Sequence, residues 1–118
     1  KGESSMNKFE LGKVVMTIAV RDKTGTFVNR SLGRYIEGDW GDTCEEDREQ
    51  NDISVAEGER ILAVYKYNDD TTIWIITEWD RSVTTILFLM NIKEVIFCRG
   101  LICAIINSML LRIWKMAR

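Results

Sequence analysis

At 118 residues, with 46% hydrophobic and 29% charged residues and a formal net charge of -2, the chain has the make-up of one ordinary globular domain, long enough to bury roughly two thirds of its unfolded surface without staples. Histidine is absent, which excludes Ser-His-Asp and Cys-His nucleophilic machinery, histidine acid/base work and histidine-containing zinc sites. The near-neutral balance gives no general field for nucleic acid or an anionic membrane, and Cys44, Cys98 and Cys103 form no Cys-x-x-Cys pair, which points to a reducing cytoplasm and to no metal or other cofactor.

Lys1 to Ser5 is a polar leader without pattern. Lys1-Gly2-Glu3 back-translates to AAA-GGA-GAA, a ribosome-binding sequence a short spacer before Met6, so residues 1–8 are expected to lie outside the fold, with Met6 as the true start. The run Val14-Val15-Met16-Thr17-Ile18-Ala19-Val20 is apolar and β-branched. It reads as a first strand, and its lack of alternation suggests burial on both faces. Phe27, Val28, Leu32, Tyr35 and Ile36 then recur at helical spacing, with Arg30 and Arg34 on the other side. Gly38 to Asp42 ends that helix, Thr43-Cys44-Glu45-Glu46 has the form of a capping box opening a second, and Gly58 is its stop.

Past Gly58 the apolar pattern changes to that of strands. Ile61 to Tyr67, Thr72 to Thr77 and Val83 to Phe88 are strand-like runs joined by Asn68-Asp69-Asp70 and Trp79-Asp80-Arg81, connections short enough to make an antiparallel meander. The middle run is apolar on both faces and belongs at the centre. The expected fold is therefore α+β: an antiparallel sheet of three or four strands, two helices between the first strand and the meander, helices on one face and aromatic side chains over part of the other. From Val95 to Leu111 the chain is nearly all apolar, broken by Arg99, Gly100 and Asn107 and followed by Arg112, Lys115 and Arg118. Three readings compete for this tail, which is drawn as a helix in two of them: a core element, a membrane-associating helix with a basic flank, or an accidental translation. It falls short of the roughly 20 residues of a membrane span and carries an arginine inside, which argues against the membrane.

Carboxylates concentrate at Asp39, Asp42, Glu45, Glu46, Asp47, Glu49 and Asp52, opposed by Arg48. Such a strip suits a salt-sensitive protein contact, with Trp40 available either to that partner or to the core. The spacing of a calcium loop is absent, and acidic residues in a first helical turn are favoured by the helix dipole without any ligand. Glu78, Asp80, Arg81 and Ser82 crowd one turn, where they either hydrogen-bond one another or, with Asp39 and Asp42, supply the carboxylates of a metal-dependent, nuclease-like site. The glycines make no phosphate cradle. Cys44, beside the expected helix start, is either a thiol activated by the helix or a half-buried small residue.

The blocks Phe9-Glu10-Leu11-Gly12-Lys13-Val14-Val15, Gly38-Asp39-Trp40-Gly41-Asp42 with Glu45-Glu46-Asp47, Arg60-Ile61-Leu62 with Tyr65, and Ile73-Trp74-Ile75-Ile76-Thr77-Glu78 through Asp80-Arg81-Ser82 to Thr84-Thr85-Ile86-Leu87 carry a resemblance. In them the chain resembles a family of small bacterial proteins of plasmids and other mobile elements, some labelled plasmid-related protein or type I restriction subunit M. The match covers most of residues 9–88. A methyltransferase role is not supported, because such a subunit needs a glycine-rich cofactor loop and an Asn-Pro-Pro-Tyr motif, and the chain has no proline. The resemblance implies a setting, a mobile element, rather than a mechanism. Family members tend to end in Pro-Asp-Glu-Tyr soon after the last strand. Phe88 to Lys93 back-translates to TTT-CTG-ATG-AAT-ATT-AAA, and one C restored after TTT yields Phe-Pro-Asp-Glu-Tyr-stop. Residues 89–118 are accordingly expected to be frameshifted read-through beyond a single domain of residues 9–88.

On function the sequence favours a small non-catalytic accessory protein that meets a protein partner through Asp39, Trp40, Asp42, Glu45, Glu46 and Asp47, with no nucleic acid as partner. Its alternatives are the nuclease-like enzyme and membrane attachment through the tail. Nothing in it fixes the oligomeric state.

Overall fold

A computed structural model of the chain describes residues 7–16, 25–68 and 71–90. In chain order the elements are strand β1 (Lys13–Met16), helix α1 (Gly25–Ile36), helix α2 (Glu45–Glu57), and strands β2 (Ile61–Asn68), β3 (Thr71–Thr77) and β4 (Val83–Met90). The strands form one sheet in the order β1-β4-β3-β2. The architecture is α+β, as the change from helical spacing to strand-like runs after Gly58 requires.

The meander forms as expected, with Leu62 opposite Ile76, Val64 opposite Trp74 and Ile75 opposite Ile86, and β3 lies inside the sheet. The first strand differs from expectation in two ways. It runs parallel to β4, with Lys13 to Met16 beside Val83 to Ile86, so the sheet is mixed rather than wholly antiparallel. Its direction follows from where the chain enters. The Lys13 N–H donates to the Ser82 carbonyl at 3.0 Å, and the Thr84 hydroxyl donates to the Leu11 carbonyl at 2.7 Å, which pins the N-terminal arm at the start of β4. Gly12 makes this approach possible: its φ is +65°, and a Cβ there would lie 2.3 Å from the Arg81 carbonyl oxygen. Second, β1 is an edge strand with Val14 38% and Met16 36% exposed, so the part of the run described here is not buried on both faces. Thr17 to Val20 lie outside the described residues, as do Asp69 and Asp70.

Helix α1 turns Val28, Ser31 and Tyr35 inward, with Phe27, Leu32 and Ile36 packed at the margin of the core and Arg30 and Arg34 exposed, the amphipathic stripe its spacing foretold. Its inner side meets Ile61, Ala63, Tyr65, Ile73, Ile75 and Ile86 of the sheet. Three aromatic rings also lie on this helix side: Phe9 meets Tyr35 edge-on at 5.2 Å and stacks near Trp40 at 6.2 Å, and Trp40 meets Tyr35 at 5.7 Å, while Trp74 alternates with these core positions and belongs to the opposite face. Through this core runs a chain of hydroxyls. Thr84 donates to Leu11, so Thr77 donates its only hydroxyl proton to Thr84 at 2.8 Å, and Tyr35 donates to Thr77 at 2.7 Å.

Helix α2 begins at Glu45, with Cys44 as the residue before it, and no side chain caps its N-terminus. The expected capping box therefore does not form, because the Thr43 hydroxyl is engaged by the sheet instead. At the other end Gly58 takes the left-handed conformation, φ 76°, and its N–H donates to the Ser54 carbonyl at 2.9 Å, the stop expected of a glycine there. Strand β4 continues past Phe88 to Met90, so the boundary drawn from the reading frame falls inside a strand. The remainder of the tail, residues 91–118, lies outside the described residues.

Candidate interaction site

The acidic segment closes the outer edge of β2. An edge strand presents every second N–H and C=O outward, and here both groups of Leu62 and of Val64 and the N–H of Lys66 are met. Asn51, fully buried on α2, donates to the Leu62 carbonyl at 2.8 Å and accepts the Leu62 N–H at 3.2 Å. The Val64 N–H donates to the Thr43 hydroxyl at 2.9 Å, that hydroxyl donates to the Trp40 carbonyl, and the Asp42 N–H donates to the Val64 carbonyl at 2.8 Å. The Lys66 N–H donates to the Asp42 carboxylate at 2.8 Å. The inner face of α2 is accordingly polar, with Asp47, Asn51 and Ser54 buried at helical spacing.

The loop before α2 is held as firmly. Arg34 grips Asp39 with Nε–Oδ2 2.9 Å and Nη2–Oδ1 3.2 Å. That hydrogen-bonded guanidinium keeps the Asp39 carboxyl below the usual carboxylate range, and Asp39 in turn raises Arg34. Both groups are exposed, so the pair contributes about 0–1 kcal/mol. The Asp39 carbonyl accepts from the Tyr65 hydroxyl at 2.8 Å. Gly41 has φ +64°, and a Cβ there would stand 2.4 Å from the Tyr65 ring. Trp40 is buried in the core and donates from Nε1 to Asp52 at 2.9 Å.

The structure thus divides the sequence candidates. Trp40 and Asp47 face inward; Asp39 and Asp42 are exposed but already bonded, Asp39 to Arg34 and Gly41 and Asp42 to Lys66 of β2; Glu45 and Glu46 are exposed on the outer face of α2, beside Glu49 and Ile53. Cys44 is half-buried.

The turn cluster sits elsewhere. Glu78 is buried and accepts from Arg60 at 3.2 and 3.1 Å. Arg81, with φ 60°, donates to the carbonyls of Glu59 at 2.7 Å, Glu78 at 3.0 Å, Trp79 at 3.2 Å and Ser54 at 2.8 Å, tying the β3–β4 turn to the end of α2. Asp80 accepts the Ser82 N–H at 3.0 Å, and hydrogen bonds from Ser82 hold its carboxyl below the usual range. The turn is knit to itself and to α2. The nuclease-like reading needs Asp39, Asp42, Glu78 and Asp80 together. Asp42 bonds Lys66 and Glu78 bonds Arg60, positions separated by about 20 Å of extended chain at the rise of a strand. Among the described residues no group of three or more Cys, Asp and Glu side chains is placed to hold a metal, and no helix is long and apolar enough to cross a membrane.

Sequence reasoning missed Asn51, Thr43 and Arg60 as organising residues. The available signal was the spacing of Asp47, Asn51 and Ser54 on a helix with few apolar residues, a polar stripe where an apolar one is usual. Comparison with protein families, curated proteins and solved structures found no match to this chain.

Proposed function

We propose that the chain is a small non-catalytic interaction protein that docks a basic protein partner through Glu45, Glu46 and Glu49, with Asp39 and Asp42 at the margin of the contact. The supporting observation is the split character of α2: its buried face is fastened to the β2 edge through Asn51, while the outer carboxylates make no hydrogen bond or ion pair with a described residue. A charged row on a fixed platform loses little conformational entropy on binding and steers an oppositely charged partner. The reading sets Trp40 and Asp47 aside as contact residues, because both are buried. Its mobile-element setting rests on the resemblance in the Gly38–Asp42 and Ile73–Leu87 blocks, and its cytoplasmic setting on the cysteine usage.

The test compares the immobilised chain with a variant carrying Glu45→Lys, Glu46→Lys and Glu49→Lys. Bacterial extract is applied at low salt and eluted by a salt gradient, and the bound proteins are identified by mass spectrometry. A basic partner held by the parent and lost by the variant supports the reading. Equal retention by both chains overturns it.

A further inference from the structure

An indole carries a large apolar surface that a folded chain normally covers, and Trp40 and Trp74 are both buried. Trp79 is 66% exposed in the turn from β3 to β4. The turn does not need its ring. The closing bonds run from the Glu78 N–H to the Val83 carbonyl, from the Arg81 N–H to the Glu78 carbonyl and from the Ser82 N–H to the Asp80 carboxylate. To them Trp79 adds a backbone carbonyl, which any residue would supply. Its indole makes no hydrogen bond or ring contact with a described residue.

The backbone that carries this ring is fixed, and every bond that fixes it joins described residues. Arg81 has φ 60°, a left-handed conformation that a residue other than glycine keeps where its surroundings hold it there. Its guanidinium spans the Trp79 carbonyl, at 3.2 Å, and the Ser54 carbonyl, at 2.8 Å, so the turn stands against the end of α2. An indole held out on fixed backbone gives up little freedom when a partner covers it, and tryptophan in such a setting carries a large share of a protein contact.

The surroundings of Trp79 choose the chemistry of that partner. Glu45, Glu49, Ile53 and Glu57 follow at intervals of four along the exposed side of α2, and this stripe ends beside the turn that Arg81 fastens. Glu57, Glu59 and Asp80 are exposed there, the last helical turn has no basic residue, and the C-terminal end of a helix is itself negative. The neighbouring arginines are engaged within the chain, Arg81 by four carbonyls and Arg60 by Glu78. A purely apolar partner would have to strip water from these carboxylates. A guanidinium suits both neighbours, because its flat face stacks on an indole while its charge meets the carboxylates, and a lysine ammonium has no such face. We infer that Trp79 is the stacking platform for an arginine of the partner protein, at the far end of the α2 stripe from Glu45. The inference rests on the proposed acidic contact for the partner's positive charge, and it adds the residue the partner presents and the place that receives it.

The probes are a hexa-arginine peptide and a hexa-lysine peptide of equal charge, titrated at low salt into the isotope-labelled full chain. NMR follows the Trp79 indole N–H and the amides of Glu45 and Glu49. Hexa-arginine is expected to shift both sets and to bind more tightly than hexa-lysine. Trp79→Ala should weaken hexa-arginine about two- to fivefold and bring the two peptides level. Undiminished binding of hexa-arginine by Trp79→Ala, or equal binding of the two peptides by the parent, overturns the inference. If the α2 amides still move in that case, the acidic contact stands without it; if nothing moves, both readings fall. A Trp79 response with unmoved α2 amides supports the stacking site and removes the acidic row as its companion. Urea unfolding of Trp79→Ala is expected at the parent midpoint, which separates lost binding from lost fold. Should the midpoint drop, Trp79→Leu, apolar but without an aromatic face, is read by the same criteria.

Discussion

Replacing Asn51 by leucine tests how the β2 edge is closed. The leucine keeps a side chain of similar size, so the loss is polar rather than a cavity. Two backbone groups of Leu62, one bonded at 2.8 Å and one at 3.2 Å, lose their partner at a buried position. Each unsatisfied buried group costs about 1–3 kcal/mol, which gives about 2–6 kcal/mol together, a large share of the roughly 5–15 kcal/mol that a domain of this size has. Urea unfolding followed by tryptophan fluorescence reads the loss as a lower midpoint at unchanged slope, since Trp40 and Trp74 are both buried. Asn51→Asp separates the two bonds. It retains an acceptor for the Leu62 N–H but brings a carboxylate into a buried position, and is expected to be at least as harmful. A shift under about 0.5 kcal/mol for Asn51→Leu, with the Leu62 amide still protected from exchange, would refute the view that Asn51 closes this edge.

Thr43→Val should lower stability by about 1–3 kcal/mol in the same assay, because the Val64 N–H and the Trp40 carbonyl both lose the hydroxyl, and Thr43→Ser should recover most of it. Gly41→Ala should cost more than about 2 kcal/mol, combining a left-handed backbone with a clash at the Tyr65 ring, and a neutral result would mean that the loop is not fixed there. Burial keeps the Tyr35 and Tyr65 phenols protonated well above their ordinary range, while unfolded phenols titrate near about pH 10. Stability is therefore fully present below that value and declines as pH rises past it. Urea midpoints between about pH 8 and about pH 11 should fall for the parent and fall less for Tyr35→Phe. The triple variant Glu45→Lys, Glu46→Lys, Glu49→Lys should stay cooperatively folded and lose about 1–2 kcal/mol, because Glu45 and Glu46 stand in the first turn of α2, where the helix dipole favours a negative charge and opposes a positive one.

Much of the fold was legible because the residues that build it are apolar and periodic. The stripe of Val28, Tyr35 and Ile36, the stop at Gly58 and the three meander runs each announce themselves within a short window. The parallel placement of β1 was not legible, since it depends on Gly12 meeting the carbonyls of Arg81 and Ser82, a contact between distant parts of the chain. The capping box failed for a related reason: Thr43 has the right spacing to Glu46, but its hydroxyl is turned to Val64 and Trp40, and Cys44 takes the cap position. In the acidic segment the sequence showed the charge without showing which carboxylates face inward. Asp47 looks like Glu46 and Glu49 in the sequence, and only the position of the β2 edge turns it inward.

The sealed edge also bears on symmetry. Association of copies by strand addition needs an open edge on each partner. Among the described residues β2 has both outward groups of Leu62 and of Val64 and the N–H of Lys66 answered by Asn51, Thr43 and Asp42, and β1 is the edge strand no other strand pairs beyond. Two copies joining β1 to β1 use up both edges and close as a twofold pair. A head-to-tail array would require β1 of one copy to displace the bonds that Asn51, Thr43 and Asp42 make to β2 of the next.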